Sequence, residues 1–368
     1  MLKIHKGGVK MYLSTLNDLK YYVEELSIGS NERLMIYVGD AFEKEVQEMM
    51  NYLNSKNILF FGGIYSKLLV GDKCLPKGYI VNKVKPIYCS IVLPNLMRFN
   101  EELDKNANYT AIIIADGLSS RFKELMDTVY DKLGNKVKYL GGGAGFYNLN
   151  HKPCIFDNDG LSMDSSYVCI IKSETFIAVE HGWNMLKGPF NVTVSNGNIL
   201  SQLDGESAFQ RYSEILEAET GLAVYKEDFF TYAKDYPFGI MEGNSMELVV
   251  RDPIAINDDL DIICIADIPQ DCNLFILSGN TRTVLESSLT IADKCSKIAP
   301  KRYKPLLFDC ISRAMFLEEN FLIELANIQN RMNCTVEGAL SIGEISSKMD
   351  GRIVIHNKST ILGLVERD

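Results

Sequence analysis

The stretch LMIYVGDAFEKEVQEMMNYLNSKNILFFGG, residues 34–63, decides the fold. Leu34 to Val38 is an apolar run of strand length. Beyond Asp40, a residue suited to capping a helix, Phe42, Val46, Met49, Met50 and Leu53 recur at i, i+4, i+7, i+8 and i+11, one apolar stripe on a helix. Ile58 to Phe61 is a second strand-sized run, stopping at Gly62-Gly63. The connection is long enough for a parallel crossover, so the segment predicts a βαβ unit. A helix before it carries Leu16, Leu19, Tyr22, Val23 and Leu26 behind Ser14 as the candidate cap.

The same order returns at Ala111 to Ile114, a turn at Asp116-Gly117, a helix with Phe122, Leu125, Met126, Val129, Tyr130 and Leu133, and a strand from Val137 to Leu140 running into Gly141-Gly142-Gly143-Ala144-Gly145. Segments of strand type follow each glycine cluster, Tyr79 to Val92 and Tyr167 to Glu180. A third copy is expected at Leu274 to Leu277, a helix from Thr281, and Leu306 to Cys310; a further helix then leads to strands at Cys334 to Ile342 and Ile353 to His356. Between the copies, Phe190 to Asn198 reads as a strand entering a hairpin, and a helix from Ser207 stops at Gly221. The expected fold is α/β: duplicated strand-helix-strand units with antiparallel hairpins, mixed sheets and two closely packed halves. The boundary is placed near Gly205, giving domains at 1–205 and 206–368.

The 368 residues allow two to three domains at roughly 150 residues each. With 38 Lys+Arg against 48 Asp+Glu, the net charge of -10 disfavours nucleic acid and anionic membrane as partners. No apolar run reaches a membrane span of roughly 18 residues, and no export signal opens the chain. The nine cysteines are scattered, without a disulfide framework or CxxC zinc spacing, so a cytoplasmic protein without a bound metal is expected.

Several residues stand out chemically. Gly142 and Gly143 end a strand with bare backbone, which serves close packing or ligand approach, but no helix follows to complete a dinucleotide fingerprint. His181 and Trp183 mark a turn in HGW and could line a pocket, supply a haem ligand or form a satisfied buried corner. Arg251 in an apolar strand needs an acidic partner or an anionic ligand. Cys310, with Arg313 three residues on, could be an activated thiol or an inert buried one. Glu344 and the His356-Asn357 pair, with the two arginines, could recognise the carboxylate and amine of a small molecule or form structural ion pairs. No Ser-His-Asp order, HExxH, GxSxG or Walker loop occurs, so the protein is not expected to be an enzyme; a Cys310 or His181 centre is the enzymatic alternative.

The segments LGGGAG (140–145), HGW (181–183), VTVSNGNILSQLDGESA (192–208), YPFGI (236–240), VVRDP (249–253), FDCISR (308–313), EGALSIGEI (337–345) and IHN (355–357) together resemble the FIST family. The resemblance covers the chain from about residue 30 and implies an N-terminal FIST segment followed by a C-terminal one. It also implies a sensory role, with amino acids or related metabolites as ligands and a separate signalling protein as partner, since no output domain pattern flanks it. Phe146 stands where the family often has an acidic residue, and FFGGIYS departs from the usual first glycine cluster, so the ligand class can differ. One branch resembles haem-binding nitric-oxide sensors; for that reading only His5, His151, His181 and His356 could be ligands, and no CxxCH motif is present.

Overall fold

The computed structural model describes residues 12–241, 248–298 and 302–366; His5 lies outside them. Its centre is three six-stranded mixed sheets. Each is built on one repeated unit of edge strand, first strand, helical crossover, second strand, hairpin and last strand. In unit 1 the strands are Tyr12–Leu13, Arg33–Gly39, Phe60–Tyr65, the hairpin Leu68–Val70 with Lys73–Leu75, and Tyr79–Val84. Unit 2 has Pro86–Val92, Tyr109–Asp116, Lys138–Ala144, the hairpin Ile155–Asp157 with Gly160–Ser162, and Ser166–Lys172. Unit 3 has Thr175–Glu180, Tyr303–Cys310, Glu337–Ser341, the hairpin Glu344–Ser347 with Ile353–His356, and Thr360–Glu366.

In every unit the first and second strands pair in parallel and the last strand pairs antiparallel to the first. The crossover helices Val46–Ser55 and Phe122–Leu133 bury the stripes that the sequence pattern marked, including Met49, Leu53, Leu125 and Val129. The hairpins, however, leave their own sheets. That of unit 1 joins unit 3, with Leu69 opposite Gly338; that of unit 2 joins unit 1, with Phe156 opposite Gly62; and that of unit 3 joins unit 2, with Ile345 opposite Gly141. This cyclic exchange ties the two ends of the chain together.

Those three glycines explain the glycine clusters. A Cβ added to Gly62, Gly141 or Gly338 would lie 1.9, 2.0 or 1.7 Å from the carbonyl oxygen of Ile36, Ile113 or Leu307, the residue paired with it on the first strand. The strands therefore run through the glycines instead of stopping at them. Gly142 and Gly143 are packing positions too: a Cβ would meet Ser341 and Phe308 in the first case and the Ile342 carbonyl in the second.

Three further local expectations are revised. Thr15, not Ser14, caps the first helix by accepting from the Asp18 amide, and Asp40 opens a 3₁₀ turn that precedes the α-helix. The third copy begins one strand later than expected. Asn273–Ser278 pairs with Asn184–Asn196 and Phe238–Met241 in another sheet, and the parallel partner of Tyr303–Cys310 is Glu337–Ser341. The described residues between 184 and 278 form an insertion in unit 3: a curled antiparallel sheet of eight strands around the helix Ala208–Thr220, with Tyr212, Leu216, Phe229 and Phe238 in its core. Among the described residues no helix is long and apolar enough to cross a membrane.

Candidate functional site

In α/β sheets, ligands gather beyond the carboxyl ends of parallel strands, because loops there can vary while the strands hold them. Pairing register aligns these ends across the units. Counting three residues from Ile36, Ile113 and Leu307 gives Gly39, Asp116 and Cys310 as equivalent positions. Their amides donate to equivalent carbonyls, those of Gly78, Ser165 and Ser359, at 3.1, 2.9 and 3.2 Å. The corner of unit 1 is closed by backbone, since a Cβ on Gly39 would sit 2.5 Å from the Pro76 oxygen.

The corner of unit 3 opens into a cleft of about 50 Å³. Three parts of the chain line it: Cys310, Ile311, Ser312 and Met315 from unit 3; Leu149 from the loop after the second strand of unit 2; and Phe230, Asp252, Ile254 and Ile265 from the insertion. Ile342, Gly343 and Asn357 complete the wall. Asn357 is buried, its amide nitrogen donates to the His356 carbonyl, and its Oδ1 has no hydrogen-bond partner.

A buried ion pair supports this wall. Lys358 Nζ lies 3.1 Å from Asp252 Oδ1, donates to the Lys234 carbonyl at 3.0 Å and to Ser312 Oγ at 3.3 Å, and sits over the Trp183 ring. Ser312 Oγ in turn donates to Asp252 Oδ2. Trp183 is tied to the same residue by its Nε1, which donates to the Lys358 carbonyl at 3.2 Å. Burial, and then the neighbouring carboxyls of Glu344 and Asp252, push the Cys310 thiol well above its ordinary range, so near neutral pH it is a thiol and not a thiolate.

The other expected site residues do not line the cleft. Glu344 is fully buried and accepts from Ser341 Oγ at 2.8 Å; burial raises its carboxyl well above the usual range. Arg313 is fully buried and fully engaged: Nε donates to Glu324 at 2.8 Å, Nη2 to the Val284 carbonyl and Ser287 Oγ at 2.7 Å each, and Nη1 to the His181 carbonyl. Arg251 donates to the carbonyls of Asp267, Val250 and Ile355, so it braces main chain where the insertion meets the hairpin of unit 3. His181 Nδ1 accepts the Trp183 amide proton, and His356 Nε2 shares a hydrogen bond with Ser346. Burial holds these imidazoles neutral, pushing them down to about 4 and about 3.

Of the ten expected residues, Cys310 and Asn357 line the cleft. Trp183 and Glu344 touch its supporting network, whereas Gly142, Gly143, His181, Arg251 and Arg313 hold the surrounding backbone and His356 bonds the Ser346 side chain. Sequence reasoning missed Asp252, Ser312 and Lys358. The available signal was their position beside marked residues, in Arg251-Asp252-Pro253, Cys310-Ile311-Ser312 and His356-Asn357-Lys358.

Compared with family models, residues 89–206 match the FIST N domain and residues 208–347 the FIST C domain. No curated protein matches the chain.

Proposed function

Because the chain belongs to the FIST family, whose domains are sensory domains of signal transduction, we propose that it senses a small polar metabolite, such as an amino acid, bound in the cleft beside Cys310. The observation that carries this reading is that Asn357, a residue of the cleft wall, has a buried Oδ1 without a hydrogen-bond partner, because such an acceptor costs about 1–3 kcal/mol that a ligand N–H would recover once the cleft opens to it. The aliphatic side chains of Leu149, Ile254, Ile265 and Met315 suit the apolar part of such a ligand. Leu149 and Phe230 are each more than two-fifths exposed and would swing outward to enlarge the cleft.

The cleft joins unit 2, unit 3 and the insertion, so a ligand there would favour one arrangement of these bodies over another and alter the surface offered to a separate cytoplasmic signalling protein. A protonated Cys310 supports binding over nucleophilic catalysis.

Thermal unfolding against a panel of amino acids and related metabolites tests the proposal. A compound in the panel should raise Tm in the wild type and in Cys310→Ala, and not in Asn357→Leu with an unchanged circular-dichroism spectrum. A panel without any stabilising compound overturns the ligand class, and an equal rise in Asn357→Leu overturns the site.

A further inference from the structure

The corner of unit 2 carries different chemistry from its counterparts. Asp116 ends the first strand, with only 1% of its side chain exposed. His151 Nε2, from the loop after the second strand, stands 2.9 Å from Asp116 Oδ2 and 3.7 Å from Asp164 Oδ1. The three donor atoms lie within 4.8 Å of one another, and among the described residues this is the one group of metal-type donors that converges so. Register makes Asp164 the counterpart of Lys358 in unit 3 and Lys77 in unit 1, since Phe156 pairs with Leu161 as Ile345 does with Ile355 and Leu69 with Cys74. Where unit 3 has Cys310 and Lys358 at these two positions, unit 2 has two carboxylates, with an imidazole beside them.

We propose that Asp116, His151 and Asp164 bind a divalent transition-metal ion of the zinc class. Zinc takes imidazole nitrogen and carboxylate oxygen at about 2.0–2.2 Å, and a tetrahedral set at that radius leaves about 3.3–3.6 Å between donor atoms. The imidazole nitrogen stands 2.9 Å from one carboxylate, to which it is hydrogen-bonded, and 3.7 Å from the other, and all three donor atoms lie within 4.8 Å of one another, so an ion that displaces the hydrogen-bond proton needs the side chains to adjust around it and not to be brought in from a distance.

The supporting shell is present. Asp116 Oδ1 accepts from the Leu118 amide at 3.2 Å, Asp116 Oδ2 from the Asp164 amide at 2.8 Å, and Asp164 Oδ1 from Ser119 Oγ at 2.6 Å, which orients both carboxylates. The side chains of His151 and Asp164 are 35% and 41% exposed, leaving an entry path. An imidazole among two carboxylates on a hydrogen-bonded frame favours zinc and cobalt over magnesium or calcium, which require an oxygen shell. The sequence gives no spacing signal for this site because its ligands come from a strand end, a loop and a hairpin end.

The full chain, stripped with a chelator, is titrated with Zn²⁺ by calorimetry and with Co²⁺ by visible absorption. One ion per chain is expected, with the intense visible bands of tetrahedral cobalt, and affinity about tenfold lower or worse in both His151→Ala and Asp164→Asn. Both variants change partly exposed side chains, and their melting curves without metal confirm that they fold. Absence of saturable Zn²⁺ binding overturns the proposal, as does unchanged affinity in both variants or equal binding of Mg²⁺.

Discussion

Glu344 and Gly142 face each other across the antiparallel pair that carries the hairpin of unit 3 into the sheet of unit 2. The carboxyl is sealed there, with Ser341 Oγ donating to Oε1 and burial raising its pKa well above the usual carboxylate value, Asp309 adding to the rise. A carboxyl raised on folding binds more protons in the native than in the unfolded chain once pH exceeds the unfolded value of about 4.5, so its effect is to lower stability as pH climbs.

Glu344→Gln keeps the shape and removes the titration. Its urea midpoint should match that of the wild type near pH 4.5 and exceed it at pH 8, the gap widening with pH. Midpoints that stay equal across this range would show that the buried carboxyl does not oppose folding at high pH.

How far the fold could be read depended on whether pairing partners were close in sequence. Residues 34–63 and 111–140 hold both strands and the helix of a crossover, and periodicity resolves them. Leu274 to Leu277 with the helix from Thr281 has the same pattern, yet the strand pairs within the insertion, which no local pattern records. The hairpin exchange is equally silent: Leu69 and Gly338 meet from opposite ends of the chain. At the site, Cys310 and Asn357 stood out as polar groups at the ends of apolar strands. Lys358 and Asp116 carried no such mark, since a lysine in Asn357-Lys358-Ser359 and an aspartate before Gly117 resemble ordinary solvated turn residues until tertiary packing buries them.

The exchange makes the three register glycines critical. Gly338→Ala would place a Cβ 1.7 Å from the Leu307 oxygen, and that contact is backbone, which cannot rotate away. A loss of about 3 kcal/mol or more is expected in chemical denaturation, against a near-neutral Gly29→Ala, where the nearest group is the flexible Glu32 side chain at 3.4 Å. A loss below 1 kcal/mol, roughly what an exposed surface change costs, would mean that the parallel pair has room to separate.

The Lys358–Asp252 pair offers a test of what holds the cleft wall. Both side chains are at most 2% exposed, and Lys358 bridges the hairpin of unit 3 to the insertion through the Lys234 carbonyl. Removing one partner leaves a buried charge uncompensated, so Lys358→Met alone should cost about 3–5 kcal/mol. Adding Asp252→Asn eliminates that charge and leaves Ser312 an acceptor, so the double variant should recover much of the loss in a double-mutant cycle followed by urea unfolding. Because the pair carries a charge of each sign, its separation should also loosen the contact between insertion and unit 3. Amide exchange in Pro253–Ile256 should then rise in Lys358→Met and fall back in the double variant. Strictly additive losses with no change in exchange would show that the two charges act independently and that the wall is held by its apolar contacts.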